Sequence, residues 1–313
     1  MTDRGRLAVI GSLNMDIRVA VRRLPGPGET VLGSDAGLAP GGKGANQAVA
    51  AARLGGAVRM AGCTGNDEFG RTIRAGLAAE SVDVSGVRAV PGTATGLALI
   101  TVDDSGENTI AVAPGANSMT GEQEIAAALA GPCDLLVASA EIPVAALASA
   151  LAAARAALVP CLLNLAPAPA EAAALLRGGV DWLVVNESEA AAVLGRPVSG
   201  LADACKSARA LCDLGAERAV VTAGASGAAW AGPAGAATVP GLRVPGVDSA
   251  GAGDAFVGAL AVAVAAGLPA TDAVRAACAA GATAATRRGV QDSLPRPAQI
   301  LAATGITWPL SSP

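Results

Sequence analysis

The sequence predicts an α/β fold: a parallel-sheet core flanked by helices on both faces, with a small β-sheet lid. Two observations lead to this prediction. In the second half of the 313 residues, short apolar strands alternate with helical segments, as in repeated βα units. In the first half, four strand-like segments fit no such unit and are expected to pair in a second sheet: 17–21, 29–38, 95–102 and 108–113. We therefore expect a single domain over residues 1–313, with lid strands from about 14–38 and 95–113 inserted in the core.

The first half of the chain is predicted to contain the lid strands and two helices. A turn rich in Pro and Gly at 24–28 separates the first two lid strands, and the polar turn 103–107 joins the last two as a hairpin. Asp103 and Asp104 in that turn could form an acid–base pair, but their turn chemistry favours a solvated loop. The other predicted elements are a strand at 7–10, a helix at 45–54, a strand at 58–63 and a helix at 68–80.

The second half is predicted to supply most of the core sheet. Its strands are expected at 135–140, 160–165, 182–185, 219–222 and 227–231. Its helices are expected at 144–157, 170–177, 187–194, 201–214, 255–266 and 271–286. Because ligands of open α/β sheets bind at the carboxyl ends of the strands, we expect a site there, covered by the lid.

Composition excludes several classes of function. The chain has no histidine, which excludes a histidine base, a His-ligated metal and a Ser-His-Asp triad. A net charge of −4 and 2% aromatic residues give no footprint for nucleic acid. The six cysteines form no C-x-x-C pair, and no apolar run reaches the roughly 18 residues of a membrane span. With no signal-peptide pattern at the start, we expect a cytoplasmic enzyme that binds neither nucleic acid nor membrane.

The loop 247–254, which runs directly into an apolar helix, is the strongest functional motif. Gly251 and Gly253 allow several backbone N–H groups to point at one spot, and a helix N-terminus favours an anion. Asp254 would repel a phosphate held there, so we interpret it as a general base that takes a proton from a hydroxyl. Two alternatives are a dinucleotide fingerprint that lacks its third glycine and an N-cap aspartate without chemistry.

A second glycine-rich stretch lies before the helix at 45–54. Gly37, Gly42 and Lys43 nearly spell a Walker A loop, but Gly44 replaces the Ser or Thr that would hold magnesium. The stretches 41–50 (GGKGANQAVA) and 248–256 (DSAGAGDAF) together resemble the ribokinase family of carbohydrate kinases. Three further motifs match in order and spacing: 11–16, 164–168 and 186–190. Within that family, the chain looks most like the ribokinases themselves.

The resemblance implies a sugar pocket whose polar groups match the hydroxyls of a sugar. Its members would be Asn14, Asp16, Gly42, Lys43, Gly44, Ala45, Asn46, Glu141 and Asp254. The resemblance also implies Asp254 as base, with an anion hole formed by the amides of Gly251, Ala252, Gly253 and Asp254.

The resemblance further implies ATP, magnesium and potassium as cofactors. Asn186 and Glu189 would organise magnesium and the phosphates through water, although Asn186 could equally be an ordinary helix cap. The nucleotide would contact Thr222, Ala223, Gly224, Ala225, Ser226, Gly227, Gly253, Asp254 and Cys278. Potassium would be held by Asp248, Ser293 and the carbonyls of Ala250, Ala284, Arg287 and Gly289.

The implied activity is phosphorylation of D-ribose at its 5-hydroxyl by ATP. Alternatives within the same fold are a kinase of 2-deoxyribose, of another sugar or of a nucleoside. An alternative of another class is a sugar-binding protein that has lost the reaction. The apolar run at 95–102 and the unpaired edges of the lid strands also predict a homodimer through the lid sheet.

Overall fold

The computed structural model describes residues 5–310, which contain thirteen strands and ten α-helices. The strands are β1 (Arg6–Ile10), β2 (Asn14–Ala20), β3 (Asp35–Gly41), β4 (Ala57–Gly65), β5 (Asp83–Val90), β6 (Gly96–Val102), β7 (Asn108–Ala113), β8 (Leu135–Ser139), β9 (Cys161–Asn164), β10 (Val180–Asn186), β11 (Ala216–Thr222), β12 (Gly227–Gly232) and β13 (Gly235–Pro240). The helices are α1 (Lys43–Arg53), α2 (Glu68–Ala79), α3 (Glu122–Ala128), α4 (Val144–Ala156), α5 (Ala172–Arg177), α6 (Glu187–Leu194), α7 (Gly200–Asp213), α8 (Ala252–Ala265), α9 (Ala270–Ala284) and α10 (Pro297–Thr304).

The larger sheet, here the core sheet, confirms the predicted fold class. Nine strands of the described chain form it, in the order β13-β12-β11-β10-β9-β8-β1-β4-β5. All neighbours pair in parallel except at one edge, where β12 pairs antiparallel with both β11 and β13. Helices cover both faces, so the strands are apolar on both sides.

Strand β1 shows how the sequence divides the core into two halves. Because successive side chains of a strand point to opposite faces, Leu7 and Val9 enter one buried cluster and Ala8 and Ile10 the other. The first cluster includes side chains of α1, α2, α8, α9 and α10, and the second those of α3 to α7.

Helix α8 lies within the first cluster and packs against both α1 and α9. Its residues 254–263 are all buried, which explains an apolar sequence without a polar stripe. Gly258 marks the closest approach to α1: a Cβ atom there would lie 2.5 Å from the Cβ of Ala50 and 2.8 Å from the backbone nitrogen of Ala51. Small residues therefore set the spacing of these two helices, both of which lead into the site described below.

The smaller sheet, here the lid sheet, has the order β3-β2-β6-β7. Strands β2 and β6 pair in parallel, with Asn14 opposite Gly96, and the outer strands pair antiparallel. The predicted strand at 29–38 is displaced to Asp35–Gly41, and the strand predicted at 17–21 begins earlier, at Asn14. Two prolines and several glycines at 24–33 prevent regular pairing there, so the extended segment starts later than its apolar residues suggest.

The sequence prediction missed four elements and placed the starts of α1 and α8 two and three residues too late. The missed elements are β5, β13, α3 and α10. The last three are short and rich in Gly, Ala or Pro, so periodicity marks them weakly. Helix α1 was predicted to begin at Ala45 but begins at Lys43, because Gly42 adopts φ 89° and is its N-cap. None of the helices between residues 5 and 310 combines the length and apolarity needed to cross a membrane.

Candidate active site

The candidate site lies where the carboxyl ends of several core strands meet the N-termini of α1 and α8. Ser12 follows β1 and Glu141 follows β8, whereas Asn164 and Asn186 are the last residues of β9 and β10. The lid sheet contributes Asn14 and Asp16 from β2, since this strand follows β1 after only three residues. The fold therefore brings residues from distant parts of the sequence to one edge of the core sheet.

Asp254 lies in the first turn of α8 and is 8% exposed. The N-cap of this helix is Gly251, whose φ of 77° is a left-handed conformation that favours glycine. No side chain caps α8, so the alternative interpretation of Asp254 as an N-cap is wrong. Its carboxylate instead accepts hydrogen bonds from Asn46 Nδ2 at 2.9 Å and from Gln47 Nε2 at 3.1 Å.

The electrostatics of Asp254 suit a base. Burial raises its pKa, while the Lys43 ammonium and the hydrogen bonds from Asn46 and Gln47 oppose that rise. A raised carboxyl pKa strengthens the group as a proton acceptor, provided that donors keep it ionised. Burial lowers the pKa of Lys43, but the charges of Asp254, Glu141 and Glu189 outweigh it and raise that pKa overall.

Asp16 and Glu141 are close enough to interact electrostatically. Burial raises the pKa of Asp16 to about 7, with further contributions from the negative charges of Glu141 and Asp254. Asn14 is buried, and its Oδ1 accepts a hydrogen bond of 2.7 Å from Asn117 Nδ2. This bond assigns Oδ1 of Asn14 as an acceptor, so the amide nitrogen is its donor end.

Glu141 holds the start of α1. Its Oε2 accepts from the Ser12 hydroxyl at 2.5 Å and from the Lys43 backbone N–H at 3.2 Å. A carboxylate at a helix N-terminus is stabilised by the helix dipole. Gly44 and Ala45 follow in the same turn, but their N–H groups donate to Ser12 Oγ and Ser12 O. These two amides therefore fix the loop after β1 and are not free to bind a ligand.

A cavity of about 670 Å³ opens on the other side of Gly253. Of the predicted nucleotide-binding residues, the cavity is lined by Thr222, Gly224, Ala225, Gly227, Gly253 and Cys278. Ala223, Ser226 and Asp254 do not line it: Ala223 and Asp254 are buried, and Ser226 is used in the turn through its backbone. Other walls come from residues that sequence reasoning did not identify, among them Leu242, Arg243 and Phe256. The cavity thus reaches the N-terminus of α8 through Ser249, Ala252 and Gly253.

Asn186 and Glu189 form a reciprocal capping box at the start of α6. Asn186 Oδ1 accepts from the Glu189 N–H, and Glu189 Oε2 accepts from the Asn186 N–H, both at 2.8 Å. The helix-cap interpretation of Asn186 is therefore confirmed. Burial raises the pKa of Glu189, and its negative charge also acts on Lys43. Within residues 5–310, no three His, Cys, Asp or Glu side chains are grouped to hold a metal ion.

The predicted potassium ligands lie behind the N-terminus of α8. Asp248 Oδ1 accepts from the Ala250 N–H at 3.0 Å, and Asp248 Oδ2 accepts from the Gly289 N–H at 3.3 Å. The Ser293 hydroxyl is 3.4 Å from the Ala250 carbonyl oxygen. The last two predicted ligands, Ala284 and Arg287, lie at and just beyond the C-terminal end of α9, where the Arg287 N–H donates to the Ala284 carbonyl at 3.1 Å. Carboxylate, hydroxyl and carbonyl oxygens of this kind suit a hard cation.

Sequence reasoning missed four amide side chains of the site. Gln47 Nε2 donates to both Asp254 and Asn164, and Gln291 Nε2 donates to Asn46 Oδ1 at 3.1 Å. Asn117, on the short 3₁₀ helix after the lid hairpin, fixes the turn between β1 and β2 through the backbone of Leu13. Gln47 and Asn164 stood inside quoted motifs, whereas no motif in the sequence marks Asn117 or Gln291.

Comparison with known proteins agrees with this geometry. The model of the pfkB family carbohydrate kinases matches residues 4–297. The chain belongs to this family. The ribokinase of Haemophilus influenzae is 36% identical over 294 residues, which cover 93% of this chain and 96% of that protein.

Two further proteins, one of them a solved structure, are similar to most of this chain. The structure of Arabidopsis thaliana ribokinase complexed with ribose and ATP matches with a TM-score of 0.84 and 28% identity, over 96% of this chain and 98% of that one. A deoxyribokinase of Salmonella typhi is 35% identical over 257 residues, 82% of this chain and 84% of its own. The chain is thus an ATP-dependent carbohydrate kinase of the ribokinase type.

Proposed function

We propose that the protein transfers the γ-phosphoryl group of ATP to the 5-hydroxyl of D-ribose, with Asp254 as the general base. The observation that carries this proposal is the position of Asp254: it is buried in the first turn of α8, directly after Gly253, which lines the 670 Å³ cavity, and its carboxylate is bonded to Asn46 and Gln47 of α1. A base at the junction of an acceptor pocket and a nucleotide cavity suits direct transfer between two bound substrates.

The polar groups of the acceptor pocket support a small polyhydroxylated substrate. Asn14, Asp16, Lys43 and Asn46 offer donors and acceptors of the kind that recognise sugar hydroxyls. The lid strands 14–41 and 96–113 contain no aromatic residue on which the base of a nucleoside could stack. D-ribose is favoured because relatives named ribokinase match almost the whole chain. The deoxyribokinase relative makes 2-deoxyribose the second candidate.

The reaction follows from the charges around Asp254. The 5-hydroxyl oxygen bonds to the γ-phosphorus of ATP while the bond from that phosphorus to the β–γ bridging oxygen breaks and ADP leaves. The hydroxyl proton passes to Asp254, which Asn46 and Gln47 hold in place. The N–H groups of Gly251, Gly253 and Asp254 and the Lys43 ammonium stabilise negative charge on the transferred group, since such transfers depend on positioning and electrostatics. The Ala252 N–H, also predicted for this role, instead donates to the Ser249 carbonyl at 3.2 Å.

Two cations complete the proposal. Magnesium would neutralise charge on the phosphates. Asn186 and Glu189 suit an indirect, water-mediated role, because the capping box occupies the single side-chain oxygen of Asn186 and one of the two carboxylate oxygens of Glu189. Potassium would be held by Asp248, Ser293 and the carbonyls of Ala250, Ala284, Arg287 and Gly289. These oxygens adjoin the N-terminus of α8, so the chain's own contacts connect them to the proposed anion hole.

We also propose a homodimer formed through the lid sheet. Register places Leu38 and Leu99 in one row of that sheet and Ile110 and Val112 on its opposite face, and all four are more than half exposed. Exposed apolar side chains next to unpaired strand edges favour pairing with another copy. A cytoplasmic location is consistent with six cysteines that are all free thiols.

The test is ATP turnover with a panel of pentoses, hexoses and nucleosides, in potassium or in sodium only. We expect the highest kcat/KM with D-ribose, a higher rate in potassium, and about a 1,000-fold lower kcat for Asp254→Asn, the range expected for loss of a general base. Asp103→Asn, in the exposed lid turn, is the matched control and should retain wild-type activity.

Each other outcome has a defined meaning. If 2-deoxyribose or a nucleoside gives the highest kcat/KM, the mechanism stands and the substrate assignment is wrong. If no substrate of the panel is phosphorylated but ribose raises the melting temperature, the sugar-binding alternative replaces the kinase. If Asp254→Asn retains the wild-type kcat, Asp254 is not the base.

A further inference from the structure

A chain of hydrogen bonds leads from the segment after α9 to the carboxylate of Asp254. Gln291 Nε2 donates to Asn46 Oδ1 at 3.1 Å, and Asn46 Nδ2 donates to Asp254 Oδ2 at 2.9 Å. Asn46 is 4% exposed, so water cannot replace either contact easily. Gln291 and Asp254, the two ends of this series of hydrogen bonds, are 37 residues apart in sequence and are connected through Asn46 in the first turns of α1.

The chemistry of the amides gives this chain a direction. An ionised carboxylate only accepts hydrogen bonds, so the NH₂ group of Asn46 must face Asp254 and its oxygen must face away. That oxygen then requires a donor, and Gln291 presents its NH₂ group there. If Asn46 turned over, its oxygen would face the carboxylate and its NH₂ group would face another NH₂ group. The donor on Gln291 therefore selects the orientation of Asn46 that supports an ionised Asp254.

Arg53 fixes Gln291 in place. The Arg53 guanidinium donates through Nη1 to the carbonyls of Gln291 at 2.6 Å and Leu294 at 2.7 Å, and through Nη2 to Glu80 Oε1 at 2.6 Å. Arg53 ends α1, the helix that carries Asn46 in its first turn. The segment 291–294 is thus attached to α1 at two points. Arg53, at the C-terminal end of the helix, binds two backbone carbonyls of the segment, and Asn46, near the N-terminal end, accepts from the Gln291 side chain.

We propose that Gln291 is a positioning residue of the phosphoryl transfer, which acts through Asn46 to orient and stabilise the ionised carboxylate of Asp254. The proposal rests on the proposed role of Asp254 as base. Gln47 supplies a second donor to the same carboxylate and is held separately by Asn164, so the two oxygens of Asp254 are supported from different parts of the fold. The charged groups that face Asp254 are Lys43, Glu141 and Asp16, and none of them lies on the segment of Gln291.

The sharpest variant is Gln291→Glu, which keeps the size of the side chain and replaces the donor by an acceptor. We expect kcat to fall about 10-fold or more, the effect of losing the hydrogen bond from Asn46 to the charged Asp254 carboxylate, with KM for sugar and ATP within about threefold of wild type. Gln291→Met removes the donor without adding charge and should show the same division between kcat and KM. Asp292→Asn, at the exposed neighbouring position, is the control and should behave as wild type.

Two measurements separate positioning from a general structural role. In the Asn46→Ala background, Gln291→Glu should cause no further loss of kcat, because the residue through which it acts is gone. A ¹³C-detected titration of labelled aspartates, with Asp254→Asn to assign the signal, should show a higher pKa for Asp254 in both Gln291 variants. Thermal unfolding identifies any variant that fails to fold.

The proposal is wrong if Gln291→Glu and Gln291→Met leave both kcat and the Asp254 titration unchanged. It is also wrong if their effects add fully to that of Asn46→Ala. The titration requires no turnover, so a wild type that fails to phosphorylate ribose would refute the proposed function while the titration still decides the role of Gln291.

Discussion

The two sheets differ in how their apolar side chains are covered. In the core sheet, β8 is buried along its whole length, as is β9, because helices pack on both faces. In the lid sheet, every residue of β7 is exposed, and β3 is exposed from Asp35 to Ala39. Both sheets are built from strands of similar length, so pairing alone does not account for the difference.

The comparison teaches that the two sheets are stabilised by different means. The core sheet is stabilised within the chain, by tightly packed helices that also position Asp254 and Lys43. The lid sheet carries Asn14 and Asp16 into the pocket, yet it has few apolar contacts of its own. Its stability is therefore expected to depend on what covers it: bound sugar, a second copy, or both. The following three experiments test this contrast through the free energy of unfolding.

The largest effect is expected at the contact between α1 and α8. Gly258→Ala should lower the free energy of unfolding by about 2 kcal/mol, because the added methyl group would lie 2.5 Å from the Cβ of Ala50. Gly37→Ala in the lid strand β3, where an added Cβ meets nothing within 4 Å, should change it by less than about 0.5 kcal/mol. Urea unfolding of both variants measures this. Equal effects would remove the contrast between a tightly packed core and an open lid.

The next effect depends on pH and concerns Asp16, where the lid meets the core. Because its pKa is raised to about 7 in the folded protein, the folded state binds more protons than the unfolded state between about pH 4 and 7. Asp16 therefore makes stability fall as pH rises through this range. Asp16→Asn should remove that loss. The free energy of unfolding of the variant, relative to that of wild type, should therefore increase by on the order of 2 kcal/mol from pH 5 to pH 8. Thermal unfolding across this range is the measurement.

The matched control for Asp16 is Asp104→Asn, in the exposed turn of the lid hairpin. It should follow the pH dependence of wild type. A gain for Asp16→Asn that is the same at pH 5 and pH 8 would show that the carboxyl group is not responsible.

The smallest effect on the isolated chain is expected on the outer face of the lid. Leu99→Lys should change the free energy of unfolding of the monomer by less than about 0.5 kcal/mol, since this side chain is 52% exposed. If the lid sheets of two copies pack together, wild type should sediment as a dimer at micromolar concentration and Leu99→Lys as a monomer. A wild type that sediments as a monomer there would contradict the homodimer, and the lid sheet would then be covered by sugar alone.

The sequence allowed much of the fold to be predicted, because the core strands and helices have clear apolar periods. The mostly parallel core sheet and the small second sheet are confirmed. Boundaries were less accurate where glycine and proline interrupt the pattern, as before β3 and around Gly42. The antiparallel edge formed by β12 and β13 was not predicted, since its Ala- and Gly-rich strands have little side-chain alternation to interpret.

The site divides in the same way. Residues in glycine-rich motifs, such as Lys43 and Asp254, can be identified because their backbone requirements leave a local pattern. The amides that support them cannot: Gln291 contacts Asn46 across 245 positions of sequence, and Asn117 contacts Asn14 across 103. A glutamine or asparagine has no local signal that distinguishes a buried donor from a solvated side chain. Only the three-dimensional arrangement provides that distinction.

Helix α1 has a consequence for how variants of this protein will behave. Within eleven residues it carries Lys43, Asn46 and Gln47 at one end and Arg53 at the other. A rigid shift of this helix would alter the position of Lys43, the hydrogen bonds to Asp254 and the attachment of segment 291–294 together. Substitutions along α1 will therefore be pleiotropic: one substitution should change KM, kcat and melting temperature together.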